Sequence, residues 1–176
     1  MAPAVIVVMG VSGCGKTTIA SRLAERLRWR FAEADSFHPQ VNIAKMRSGV
    51  ALTDEDRSPW LDAIAAWIET VRASGQKGVI TCSALKRSYR ERLARGHGDV
   101  RFVYLKADYA LIAARMAGRQ GHYMPLALLQ SQFDTLEEPG ADENALVASI
   151  ERPPEEIIAE IGEALGLRTA LLAPGP

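Results

Sequence analysis

The sequence predicts an α/β fold in three layers, a five-stranded parallel sheet flanked by helices. Short apolar runs such as AVIVVM at 4–9 and GVITCS at 78–83 are continuous rather than alternating, as strands buried on both faces must be. Between such runs, apolar residues recur at spacings of three and four, the period of a helix covering a sheet. Strand and helix patterns alternate along the chain, which implies crossover connections.

The first strand, 4–9, stops at Gly10. A helix over 16–28 follows, with Ile19, Ala20, Leu23, Ala24 and Leu27 on one face, and 29–32 offers a second strand. Pro39 opens a short helix through Met46, which Ser48-Gly49 ends. Trp60, Leu61, Ile64, Trp67, Ile68 and Val71 give the clearest helical period, with Thr53 and Asp54 as caps and Ser74-Gly75 as the break. A third strand at 78–83 precedes a helix over 86–95, the turn GHGD and a fourth strand at 100–105. Helices at 110–117 and 125–136, a fifth strand at 145–150 and a helix around 155–165 complete the pattern. No repeat, heptad tract or low-complexity linker asks for a second domain. Residues 1–170 are therefore expected to form one domain, with a helical insertion at about 39–74, a lid at about 115–138 and a tail at 171–176.

Lys plus Arg equals Asp plus Glu, 21 against 21. That balance argues against bulk electrostatic attraction to nucleic acid or an anionic membrane, so neither is an expected partner. The opening MAPAVIVVMG is too short to span a bilayer and lacks a basic leader. Cys14 and Cys82 are the two cysteines and show no metal-ligand spacing, which favours a reducing cytoplasm over a disulfide scaffold.

The chemistry begins at Gly10-Val11-Ser12-Gly13-Cys14-Gly15-Lys16-Thr17, a full match to the P-loop pattern GxxxxGKT with a strand before and a helix after. Glycines let such a loop curl around phosphate oxygens with its N–H groups inward, and the helix terminus adds a favourable field. Residues Gly10 through Thr18 are therefore the expected nucleotide site, with Lys16 at the β/γ-phosphates and Thr17 on Mg²⁺. Cys14 reads as a small residue tolerated in the loop, not a nucleophile. The guanine-reading sequence NKxD is absent, and GVITCS lacks a terminal Asp, which leaves Glu33 and Asp35 as the available strand-end acids.

The stretch ADSFHPQVNIAKMRSG, 34–49, mixes acid, imidazole, amide and cations. Asp35 is suited to orient an acceptor hydroxyl and take its proton, or alternatively to cap the helix near Pro39. Glu33 is placed to organise metal-bound water, and His38 either donates to a hydroxyl or carboxylate or is a solvent-exposed or structural histidine. Asn42 and Lys45 share a helical face, Lys45 either adding to the local field or lying on the surface. Arg57 suits a carboxylate through its planar donors, or else pairs with Asp54 or Asp56. Ser83 and Lys86 follow the third strand on the side where α/β ligands bind, while Arg87 and Arg90 either face the site or clamp the fold. Arg115 and Arg119, four apart, either share a helix face that closes over phosphates or solubilise an exposed helix. The acceptor implied has several hydroxyls and one anionic end.

Three long blocks narrow this: DSFHPQVNIAKMRSGVALTDEDRSPWL at 35–61, CSALKRSYRERL at 82–93 and GHYMPLALLQSQFDTLEEP at 121–139. Together they resemble the small P-loop gluconokinases, relatives in architecture of shikimate and nucleoside monophosphate kinases, over nearly the whole chain. The resemblance implies ATP- and Mg²⁺-dependent phosphorylation of D-gluconate at its terminal hydroxyl, giving 6-phospho-D-gluconate. It places Gly13, Gly15, Lys16 and Thr17 on nucleotide and metal, and Asp35, His38, Arg57, Ser83, Lys86 and His122 on the acceptor side. Lys16, Asp35 and Arg119 would act on the transfer itself. It also implies a homodimer. Glu33 stands where the family can carry Asp, and Tyr123 where Phe is often found. Alternatives are a shikimate or nucleotide kinase on the same fold, the former disfavoured because CSALKR lacks a glycine cluster, or an ATP-binding regulator without catalysis.

Overall fold

A computed structural model of the chain describes residues 2–118, 126–167 and 170–171. Five parallel strands, β1 (Val5–Met9), β2 (Arg30–Glu33), β3 (Gly78–Thr81), β4 (Val100–Lys106) and β5 (Leu146–Ser149), stand in the order β2-β3-β1-β4-β5. Seven helices are described: α1 (Lys16–Leu27), α2 (Gln40–Arg47), α3 (Asp54–Ala73), α4 (Arg87–Ala94), α5 (Tyr109–Ala117), α6 (Leu126–Thr135) and α7 (Pro154–Ala164).

β1 is central, hydrogen-bonded to β3 on one side and β4 on the other, so its side chains divide between the two faces. Ile6 and Val8 pack with α1 residues Ile19 and Leu23 and α7 residues Ile158 and Ile161. Val5, Val7 and Met9 face the other way, against Trp60, Leu61 and Ile64 of α3 and Leu93 of α4. This two-sided burial is the reason AVIVVM shows no alternation. At the N-terminus of α3 the Thr53 hydroxyl accepts from Asp56 N–H (3.1 Å) and the Asp56 carboxylate from Thr53 N–H (3.0 Å), a reciprocal cap.

Two differences from the sequence reading matter for the site. Regular strand β3 ends at Thr81 rather than at 83; Cys82 N–H still donates to Val8 O (3.0 Å) and Ser83 O accepts from Gly10 N–H (3.3 Å), and the chain then turns away at Ala84, which takes a left-handed φ of 46°. The segment that carries Ser83 is then held by Arg90, 1% exposed, which donates to Ala84 O (3.0 Å) and Leu85 O (3.3 Å) and forms a forked pair with Glu143 (2.6 and 2.9 Å). Arg90 is thus a clamp, and so is Arg87, bound to Glu91 (3.0 Å) and Asp142 (2.6 Å). The second difference is a 3₁₀ turn over Ala34–Phe37, pinned by the Ser36 hydroxyl on Glu33 O (2.6 Å), directly after β2. It is too short to leave a helical period in the sequence. No helix among the described residues is long and apolar enough to cross a membrane.

Candidate active site

The loop after β1 turns at Gly10, whose φ is 145°. A Cβ there would stand 2.8 Å from Cys14 Sγ and 3.0 Å from Leu105 O, so the turn needs glycine on both conformational and steric grounds. Gly15, at φ 95°, begins α1 without any side-chain cap, and a Cβ on it would meet nothing within 4 Å. The first N–H groups of α1 therefore face an open cradle, the arrangement that binds an anion. Lys16 Nζ lies back across the loop, donating to Gly10 O and Val11 O, both at 3.0 Å. Gly13 is at φ 81°, and Thr17 and Thr18 are exposed. Cys14 is buried, and burial pushes its thiol up despite nearby Lys16, which makes it a poor nucleophile.

A cavity of about 360 Å³ runs from this loop toward α2. Its polar lining includes Ser12, Lys16, Asp35, His38, Arg57 and Ser83, with Ser131 and Gln132 from α6, and its apolar lining includes Met46, Leu52 and Leu128. Asp35 sits in the 3₁₀ turn and does not cap α2, whose N-cap is Pro39 with no side-chain cap bond. His38 stacks on Trp60, with centroids 4.4 Å apart and planes 9° apart. Burial holds the His38 imidazole below its ordinary pKa; Asp35 opposes that shift and Arg57 adds to it. Arg57 Nη1 donates to the Tyr89 hydroxyl (3.3 Å) and stands 4.0 Å from Asp54 Oδ1, so the pairing with Asp54 and the place on the cavity wall coexist.

The other expected residues fall differently. Lys86 is not part of the cavity lining; its Nζ is held by both Asp54 oxygens (3.0 and 2.9 Å) across the start of α3. Lys45 is bound to Asp56 (2.7 and 2.8 Å), which, with the Thr53 cap, holds the Asp56 carboxyl down at about 2. Arg115 donates to Ile150 O (2.9 Å). Arg119, His122 and Tyr123 lie outside the described residues.

Glu33 accepts from the Thr81 hydroxyl through Oε2 (2.9 Å), while its Oε1 is buried with no hydrogen-bond partner. A buried carboxylate oxygen left unsatisfied at a strand end is what a metal-bound water would complete. Among the described residues no cluster of three or more His, Cys, Asp or Glu could hold a metal alone.

Two residues had no assigned role in the sequence reading. Gln132 on α6 accepts from Ser12 N–H (2.7 Å) and donates to Ser12 Oγ (3.1 Å), so α6 touches the phosphate loop directly. Asn42, noted there only for its helical face, is buried beside His38. Their signal was weak: Gln132 stood inside a quoted block, and a polar Asn in a short helix says little about burial.

Residues 5–139 match the AAA domain family. The chain is 46% identical to a gluconokinase of Gluconobacter oxydans over 159 residues, 90% of this chain and 89% of that protein. A sugar kinase of Janibacter sp., in an unliganded crystal structure, superposes with a TM-score of 0.90 at 45% identity, covering 98% of this chain and 99% of that one. A gluconokinase of Sinorhizobium meliloti gives 0.84 at 43% identity, covering 96% and 94%. With the phosphate loop, the neighbouring polar cavity and these likenesses together, the chain belongs to the gluconokinase family of P-loop kinases.

Proposed function

We propose that this kinase transfers the γ-phosphoryl group of ATP to the terminal hydroxyl of D-gluconate, giving 6-phospho-D-gluconate and ADP. The carrying observation is one cavity that has Ser12 and Lys16 of the phosphate loop at its edge and Asp35, His38 and Arg57 in its lining. It offers a polyol acid a carboxylate, a hydrogen donor and a guanidinium, beside the place where phosphate is held.

The residues divide the work. Loop N–H groups from Gly10 to Thr18 receive the phosphates, and Lys16 exchanges its two carbonyl partners for phosphate oxygens. Asp35 accepts a hydrogen bond from the terminal hydroxyl and takes its proton as the new P–O bond forms and the bond to ADP breaks. Arg57 meets the gluconate carboxylate and Ser83 a hydroxyl. Thr17 and, through water, Glu33 are the residues that would hold Mg²⁺. A bound Mg²⁺ neutralises charge on the β- and γ-oxygens. Arg115 and Arg119 belong to the same reading as closing contacts to the phosphates, His122 as an acceptor contact and Lys86 as a more distant acceptor-side cation. A homodimer in the cytoplasm is the matching state; sedimentation of the purified protein checks the dimer.

Coupled ADP detection with gluconate, shikimate and nucleoside monophosphates tests the acceptor. Gluconate-dependent turnover that needs Mg²⁺ is expected. Turnover with another acceptor and none with gluconate would reject the assignment, and ATP binding without any turnover would point to a regulator.

A further inference from the structure

We propose that Asn42 is a positioning residue that fixes His38 in the tautomer carrying its hydrogen on Nε2, making His38 a donor to the acceptor and not its base. Asn42 is 1% exposed, so its amide must be satisfied by protein. Its Nδ2 lies 2.7 Å from the backbone carbonyl of Asp56, a group that can only accept. This fixes which end of the amide points that way, because the reversed amide would set oxygen against oxygen. The same Nδ2 is 3.3 Å from His38 Nδ1. One amide hydrogen goes to Asp56 O and the other to Nδ1, which must then offer a lone pair. A neutral imidazole with Nδ1 unprotonated carries its hydrogen on Nε2.

The surroundings hold this arrangement from every side. Trp60 fixes the ring plane by stacking, and its own Nε1–H is committed to Ala34 O (2.7 Å). The Asp56 carbonyl that sets the polarity belongs to a residue anchored by the Thr53 cap and by Lys45. His38 Nε2 has no hydrogen-bond partner among the described residues, is not among their buried unsatisfied atoms, and belongs to a ring that lines the cavity. With Asp35 as acceptor and His38 Nε2–H as donor, the cavity presents the two polarities that a hydroxyl group matches. The occupant rests on the gluconate reading above; the tautomer does not.

The test is a long-range ¹H–¹⁵N spectrum of the uniformly labelled protein near neutral pH, with His38 identified by the signal lost in His38→Gln. Protonated Nε2 with unprotonated Nδ1 is expected. A protonated Nδ1, or two tautomers in comparable amounts, overturns the proposal. Asn42→Leu should weaken the preference toward the tautomer mixture of a free neutral imidazole, so that an Nδ1-protonated fraction appears, and should raise KM for gluconate about tenfold, the size of one lost hydrogen bond, with KM for ATP little changed. An unchanged tautomer with unchanged KM in a folded Asn42→Leu protein also overturns it. Should that variant fail to fold, a second pair decides. His38→Gln, whose terminal N–H can replace Nε2–H, should keep KM for gluconate nearer wild type than His38→Leu, and equal losses reject the donor role. Protonated Nε2 in a protein that ignores gluconate leaves the tautomer standing and removes only the occupant.

Discussion

The proposed nucleotide side and the proposed acceptor side of the cavity are built in different ways. The phosphate cradle is backbone: consecutive residues from Gly10 to Lys16, glycines at φ 145°, 81° and 95°, and the uncapped start of α1. The acceptor wall is made of side chains drawn from separate segments, with Asp35 and His38 after β2, Arg57 on α3 and Ser83 after β3. Three of these four depend on partners elsewhere. Trp60 and Asn42 hold His38, Tyr89 binds Arg57, and Arg90 with Glu143 fixes the loop that carries Ser83. A cradle made of main chain tolerates many side-chain changes around it. A wall made of supported side chains can be lost one support at a time, so specificity is the more fragile property of this molecule.

The largest effect should come where the two sides meet. Asp35→Asn keeps the shape but removes the acceptor of the proton, and kcat for gluconate should fall by about a hundredfold or more, with the thermal midpoint unchanged. Near-normal turnover would take Asp35 out of the transfer step and leave the wall as a binding surface only. Next comes the support under Ser83. Glu143→Gln leaves the Arg90 guanidinium buried without its counter-charge, which should cost about 3 kcal/mol in denaturant unfolding. A loss within about 0.5 kcal/mol, the range of ordinary surface substitutions, would show that the Arg90 bonds to Ala84 and Leu85 carry the clamp by themselves. Smaller again, Gln132→Leu removes both bonds between α6 and Ser12 and should lower kcat/KM roughly tenfold. If KM for gluconate moves while KM for ATP does not, Gln132 belongs to the acceptor wall; a shift in both assigns it to the seam.

This division also explains what the sequence revealed. The cradle was legible because its residues are contiguous and each type has a backbone reason to be there. The period from Trp60 to Val71 and the Thr53 cap gave α3 for the same reason, since both are local. The wall was legible as a set of candidates and not as an arrangement. Whether Arg90 faced the site or clamped the fold depended on Glu143, 53 positions away, and Gln132 meets Ser12 across 120 positions. The Lys86–Asp54 pair likewise joins positions 32 apart. A single sequence carries no record of such partners, because no rule of spacing connects them.

The smallest effect isolates a support that lies two steps from any ligand. Asp56 accepts from Lys45 and from Thr53 N–H, and these bonds hold its carboxyl at about 2, below the ordinary 3.8. A carboxyl depressed on folding contributes stability that is fully present above its unfolded value and is lost as pH falls through the folded one. Asp56→Asn should therefore lower the urea midpoint at neutral pH, modestly because Lys45 is partly exposed, and the gap to wild type should close as pH falls from about 4 to about 2. A gap of the same size near pH 2 would mean that the carboxylate charge is not what holds the turn. Since the carbonyl of Asp56 also orients Asn42, the same variant separates two kinds of support. Weakened capping alone lowers stability and leaves KM for gluconate in place, whereas a raised KM in the folded variant shows that the start of α3 is felt through Asn42 and His38 in the cavity.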